Sequence, residues 1–470
     1  MLEQINQLND VVKSLEAGSY DAAPSSLVQG SALLQEDLSS VLNNVTYGSE
    51  HIKLQAMCKI TPCKSITSEF VRQLSYGNWG GAAQFEGDVG VEDTSQFVRC
   101  VVPMAFYSKT RNVSIASTLV DTFDGKGNEE RANADAAIHM SGEIEFDAFR
   151  GYEDFSNGGV FDGNPFSADV SIPSMHGLGL QIRQSDYQSN AKDQMFASYG
   201  SNDTVVLSAG GGAITQGIVE DASLRSALGF GQARKLVVDP VALSAYNKIS
   251  YNMERIVLAG SPQGAVGADL RKQWTSNGTV GVESSHFLRG RSGPDVPRPE
   301  SPDAPASIVS ASAGSLGTTG LAGAYTYYAT SVSERGESFP TAAVTTSTIT
   351  ANYSVVVTIA PPSGSKPYRF FRVYRSQAGG SAASARFIGS VAAAASGNTT
   401  FTDLGNKTPG FTTGFLLNEG AFEMKQLAPY TVLKLAVAAL NIPTANYTFT
   451  CLAVMKPRTC VLIDNIKGTM

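Results

Sequence analysis

Residues 293–307, GPDVPRPESPDAPAS, carry five prolines in fifteen positions. Proline has no N–H and holds φ at about −65°, so neither a helix nor a central strand runs through such a stretch. It reads as a linker and a boundary. From about 304 to 414 every segment then reads as strand: AYTYYATSV, SVVVTI, YRFFRVYRS, ARFIGSV and TTFTDL. β-Branched and aromatic residues dominate these runs, and turns such as ERGES and Gly379–Gly380 separate them. Before 293 and after 415 helical and strand patterns mix. The order demands a mixed α+β host interrupted by an all-β sandwich, with 293–414 as linker plus insert.

The chain has 470 residues, 42% hydrophobic and only 16% charged, against about 25% charged in average soluble domains. With 46 glycines as well, this implies much extended backbone and a surface partly covered by neighbouring chains. The net charge of −7 argues against nucleic-acid recognition as the main task, because phosphate binding needs clustered Lys and Arg. Residues 1–150 hold twenty acids against eleven bases. Five cysteines in no zinc-knuckle spacing predict free, mostly buried thiols in a reducing compartment. No basic stretch followed by an apolar core opens the sequence, so no secretory signal is expected. No apolar run approaches the roughly 20 residues of a membrane span, so no membrane partner is expected.

Leu2, Ile5, Leu8, Val12 and Leu15 recur at helical spacing, and 1–60 reads as an N-terminal arm. Residues 77–96 are rich in Gly and acids, and 77–120 reads as one long extended loop. Its two strand-like runs, 97–107 and 112–120, are interrupted by Pro103, Lys109 and Arg111. A loop with so little to bury needs a partner's surface. Trp79, Phe85, Phe97, Lys109 and Arg111 are therefore the candidate intersubunit contacts. A long helix is predicted over 128–150, with acids at its start and Gly151 at its end. Further helices are expected over 213–229, from Pro240 onward and over 426–440, with strands at 236–238, between 250 and 290, and at the C-terminus.

No catalytic constellation emerges. Four histidines lie scattered without metal-ligand spacing. SAGGGAIT lacks the Lys and the spacing of a phosphate loop. Glu143 and Glu145 on the predicted helix point to different faces and make no acid/base pair. No catalytic, cofactor-binding or metal-binding residue is assigned, and the expectation is a structural protein with no enzyme activity and no cofactor.

The pattern AYTYYATSVSERGESFPT … YRFFRVYRS … FTDLGNKTPG resembles fibronectin type III and immunoglobulin-like modules, although the usual central-strand tryptophan is absent. The rest, with its arm, extended loop, long helix, GLGLQI, helix–RKLVVDP–helix and terminal CVLIDNI, resembles the major capsid protein of tailed bacteriophages, the Hong Kong 97-like fold. That resemblance covers the shell domain in two parts, 61–292 and 415–470. It implies an extended loop 77–120 lying on the neighbouring subunit, a spine helix 128–150, and peripheral and axial domains. It also implies self-assembly as hexamers and pentamers into an icosahedral head around a dsDNA genome that is not read by sequence. Portal, scaffolding and decoration proteins are its further implied partners. The implied location is the virion, assembled in the host cytoplasm, with the insert facing outward. Many members lose an N-terminal scaffolding region; with the sequence opening at Met1, this subunit is expected to keep its own. The alternative is an adhesin-like surface module recognising carbohydrate. The missing secretory signal and the embedding of the sandwich in a mixed host favour the shell.

Overall fold

The structure, a computed structural model, describes residues 46–77, 83–87, 89–90, 92–119, 127–151, 174–183, 205–250, 272–315, 320–394, 396–437 and 440–468. The expected helix at 2–16, the loop at 260–270 and Trp79 lie outside the described residues. The fold is mixed α/β and mostly strand. It divides into two compact units. The smaller takes in Arg111–Asp135 and Lys434–Thr444; the larger takes in Gly48–Thr110, Ala136–Leu433 and Ala445–Met470.

In chain order, the single turn α1 (Leu54–Met57) leads to β1 (Lys59–Pro62), then β2 (Thr67–Ser75) and β3 (Gln96–Pro103). β4 (Ala105–Ser114) and the turn α2 (Ile115–Thr118) precede the long helix α3 (Asn128–Arg150) and the short helix α4 (Leu178–Arg183). β5 (Val206–Ser208), α5 (Gln216–Leu228), β6 (Lys235–Val238), α6 (Pro240–Ser250), β7 (Lys272–Thr275) and β8 (Gly278–Ser284) complete the first host segment. β9 (Ile308–Ser315), β10 (Leu321–Gly323), β11 (Thr326–Ser333), β12 (Gly336–Glu337) and β13 (Val344–Thr345) open the all-β block. β14 (Ile349–Ile359), β15 (Phe370–Arg375), β16 (Arg386–Ala392) and β17 (Thr399–Asp403) finish it. The chain ends in β18 (Phe411–Leu417), β19 (Phe422–Lys434), β20 (Asn441–Val454) and β21 (Val461–Lys467).

The helices start and stop where their residues dictate. Thr215 Oγ1 accepts from Ile218 N at 3.3 Å, capping α5. Pro240 opens α6 behind the buried Asp239. Glu129 and Glu130 lie at the positive end of α3. At its other end a Cβ on Gly151 would come within 1.9 Å of the Met175 carbonyl, so only glycine fits there.

Two host sheets share one core. The four-stranded sheet runs β1-β19-β20-β4 and the six-stranded sheet β5-β21-β18-β6-β8-β7. Between them Met140, Ile144 and Phe149 of α3 pack with Tyr107, Phe415, Phe422 and Leu452. The opposite face of the larger sheet is closed by α5 and α6, whose Val219, Ala222 and Tyr246 pack with Leu236 of β6. Full burial of each large apolar side chain stabilises by about 1.5–3 kcal/mol.

The all-β block is a two-sheet sandwich. One sheet joins β10, β14 and β17, with β9 also on β14; the other runs β12-β11-β15-β16, with β13 on β11. Val355, Val357 and Phe401 from the first meet Tyr327, Phe371 and Val373 from the second in a single core. At its edge the Arg375–Asp403 pair is buried at 2.5 Å, and Tyr327 Oη donates to the same carboxylate at 2.9 Å. The sandwich leaves and re-enters the host at one place. A Cβ on Gly290 would lie 2.7 Å from the Gly410 carbonyl, and Thr412 Oγ1 donates to the Leu288 carbonyl.

Three expectations change. The segment read as a helix over 426–440 is strand β19 up to Lys434, reversing into β20. Pro429 forbids a helix interior, and it lies beyond the stretch Glu423–Gln426 that pairs with β1, where a strand tolerates proline. Lys109 and Arg111 do not interrupt a strand but sit inside β4, while Ile115–Thr118 is helical with Ser114 Oγ as its cap. Finally, β18 opens at Phe411, inside the range read as insert, and pairs with β21 and β6 of the host. The proline-rich stretch is also fastened down: Lys366 Nζ donates to the carbonyls of Pro299 and Ser301 at 2.8 and 3.1 Å.

Candidate assembly surfaces

The β2–β3 hairpin is built in two halves. Its root is held by a small core of Val102, Met104 and Cys451, with Phe70 and Leu427 against it. Arg72, 7% exposed, donates to the Val454 carbonyl, and Arg99 pairs with Glu69 across the strands at 2.5 Å. Beyond that root, among the described residues from 73 to 99, none is buried. Tyr76, Phe85, Val89 and Phe97 stand 89%, 87%, 92% and 63% exposed. A strand pair with both faces wet at its outer half cannot hold itself rigid and leaves apolar area for a partner.

The candidate contact residues therefore separate. Phe85 and Phe97 sit on the bare outer hairpin. Trp79 is outside the described residues. Lys109 instead forms an ion pair with Glu143 of α3 at 2.8 Å, within its own chain. Arg111, in the smaller unit, is partly buried, and Thr444 Oγ1 donates to its carbonyl at 3.5 Å.

Two further surfaces had no signal in the reading above. In the smaller unit the turn between β19 and β20 exposes Leu435, Val437 and Leu440, and Leu119 is 81% exposed. The turn is fixed by Lys434–Glu129 at 2.7 Å and by Ile115 N donating to the Leu440 carbonyl at 2.9 Å. Reading 426–440 as a helix hid this tip. The other surface is the edge of the six-stranded sheet. Lys235, Gly281 and Lys272 lie in one row across β6, β8 and β7, and Trp274 and Thr279 pair two rows on, on the same face. Trp274 is 83% exposed, and a hollow of about 720 Å³ opens beside Arg234, Lys235 and Lys272. Nearby, Phe230 is 98% exposed at φ 61°, a left-handed conformation that costs a bulky residue about 1–2 kcal/mol.

The acids of α3 serve architecture. Glu145, fully buried, accepts the backbone N–H groups of Lys53, Leu54 and Gln55 at 2.9, 2.6 and 3.0 Å, closing the N-terminus of α1. Burial raises its carboxyl above the usual range, and those three N–H groups pull it back. Asp147 accepts from Tyr107 Oη at 2.7 Å, and burial pushes it up to about 6. Burial lowers His176 to about 3, so it is neutral. The thiols are free; burial pushes Cys58 and Cys451 up to about 12, which leaves them unreactive. Among the described residues no three His, Cys, Asp or Glu gather as a metal site, and no helix is long and apolar enough to cross a membrane.

No family model and no curated protein matches the chain. Among solved structures it is similar to the capsid of the native GTA particle, at 9% identity and TM-score 0.46, over 92% of this chain and 96% of that one. It is similar to the capsid of Cyanophage P-SCSP1u at 8% identity and TM-score 0.44, over 93% and 94%. Mycobacterium phage Ogopogo gives 10% identity and TM-score 0.42, over 92% and 96%.

Proposed function

We propose that this chain is the structural subunit of a closed protein shell, the head of a tailed bacteriophage, built from hexamers and pentamers around dsDNA. One observation carries the proposal: among the described residues of the outer half of the β2–β3 hairpin none is buried, and four large apolar side chains, Tyr76, Phe85, Val89 and Phe97, stand exposed. An exposed apolar surface of this kind, on a subunit with 16% charged residues, fits repeated self-association. The two-part host also agrees with the element order of the Hong Kong 97-like fold.

The sandwich is read as an immunoglobulin-like module on the outer surface. Its arginines favour that side: Arg369 pairs with Glu334 at 2.5 Å, Arg372 with Glu337 at 2.7 Å and Arg375 with Asp403 at 2.5 Å. Spent on neighbouring acids, they form no row for packaged phosphates. Portal, scaffolding and decoration proteins would be the further partners, and assembly would take place in the host cytoplasm.

Sedimentation velocity of the purified chain, alone and with its native assembly partners, tests the reading. Capsomers and larger closed species are expected. A monomer under all these conditions contradicts it. An antibody against the sandwich should bind intact particles; binding only after their disruption would place the module inside.

A further inference from the structure

Two stretches join the sandwich to the host, 289–307 on entry and 404–410 on exit. They run side by side where Gly290 meets Gly410. Two adjacent linkers alone would make a hinge, and motion between domains is the ordinary expectation unless contacts prevent it. Here both stretches are gripped.

On entry the grip runs from helix α3 into the sandwich. Arg291 Cζ lies 5.6 Å from the ring centroid of Phe146, and Arg291 Nη1 donates to Asp295 Oδ2 at 3.1 Å. Arg372 Nη1, from β15, reaches the same oxygen at 3.5 Å, while Asp295 N donates to Glu337 Oε2 at 3.1 Å. Glu337, 1% exposed, also accepts from Tyr374 Oη at 2.6 Å, so the acid receiving the linker is itself fixed in the sandwich. On exit the grip comes from the host. Asn465 of β21 is buried and sits at φ 54°, a left-handed conformation that asparagine tolerates. Its Oδ1 accepts from Thr408 N and Thr408 Oγ1, each at 2.8 Å, and its Nδ2 donates to the Asn406 carbonyl at 3.0 Å. Arg375 Nη2 donates from the sandwich to the intervening Lys407 carbonyl at 2.6 Å, and Phe387 of β16 stacks on Phe411 of β18.

We propose that Asp295 on entry and Asn465 on exit are latches that hold the sandwich on the host in one orientation. Asp295 is bonded on both sides of the joint, to Arg291 toward α3 and to Glu337 and Arg372 in the sandwich. Asn465 ties the exit stretch to the host while Arg375 ties it to the sandwich. Opening either joint strands buried polar groups, which costs the full desolvation penalty of each and removes the hinge. The sandwich is then a fixed mount rather than a tethered bead, whether or not the chain builds a shell.

Distances between paired spin labels test it. Val309→Cys on β9 and Leu224→Cys on α5, both at exposed positions, carry the labels. Cys63→Ser accompanies them, because the other native thiols are buried. Labelled chain is diluted in unlabelled chain, so that only distances within one copy are read. With the latches intact, one narrow distribution is expected, as narrow as that between labels at 309 and 339 inside the sandwich. Asp295→Ala with Asn465→Gly, glycine being suited to φ 54°, should broaden it at least about twofold. A broad distribution with the latches intact overturns the proposal, and so does one that stays narrow when both are removed.

Discussion

Glu145 occupies the centre of the host with its carboxylate spread over three backbone N–H groups of 53–55. Glu145→Ala would strand those donors in the core and should lower stability by about 1–3 kcal/mol, read as a shift in urea midpoint. Asp147 predicts a pH effect. Its carboxyl is pushed up to about 6 in the fold, above its ordinary 3.8, mainly by burial. The native state therefore resists the charge, so stability from this group is full below about 4 and lost as pH rises through about 6. Asp147→Asn still accepts from Tyr107 and should flatten the fall in stability between pH 4 and 7; parallel curves for the two proteins would refute this. In the sandwich, Asp403→Ala leaves Arg375 buried and unpaired, and a loss of about 3–5 kcal/mol is expected by thermal denaturation. That Glu143 and Glu145 point to different faces of the helix was legible in the sequence. The destinations of these acids and of Asp147 were not, because the partners at 53–55, 107 and 109 lie dozens of residues away and only the packed fold brings them in.

At the scale of elements, the hairpin should be separable from the fold that carries it. Replacing 76–95 with Asn-Gly, a turn suited to a two-residue hairpin loop, should leave helix content and melting temperature close to wild type and abolish assembly. Retained shells would show that the loop is dispensable. The helices over 128–150, 213–229 and after Pro240 were legible because caps, glycine stops and spacing agreed. The strand at 422–434 was not. Leu and Ala favour helix, and QLAPYTVLKLAVAAL spaces them well enough to mislead. Pairing with β20 overrides that weak preference, and Pro429 was the contrary sign. β4 was missed for a related reason: Lys109 and Arg111 look like breaks, yet they continue the face of the buried Tyr107 and Val113 along one strand, half-buried between them.

For the whole molecule, the all-β block was the most legible feature, since prolines and a purely β pattern mark it from a distance. Its end was blurred, because Phe411–Leu417 is as strand-like as the sandwich and only its pairing with β6 and β21 assigns it to the host. Since Gly290 and Gly410 touch, excising 291–409 with a short glycine link should give a host that still folds and assembles, checked by circular dichroism and sedimentation. The excised module should fold alone around its own core. The hollow beside Arg234, Lys235 and Lys272, by contrast, was invisible in sequence, because these residues come together only when β6, β8 and β7 lie side by side. Self-association into a closed shell is the claim on which the functional reading stands. Electron microscopy of the assembled chain, with its native partners present, tests it most directly. Closed particles with sixfold and fivefold capsomers, each hairpin lying across the next subunit, are the expected image. Dispersed single subunits, or open aggregates without repeating capsomers, would contradict it.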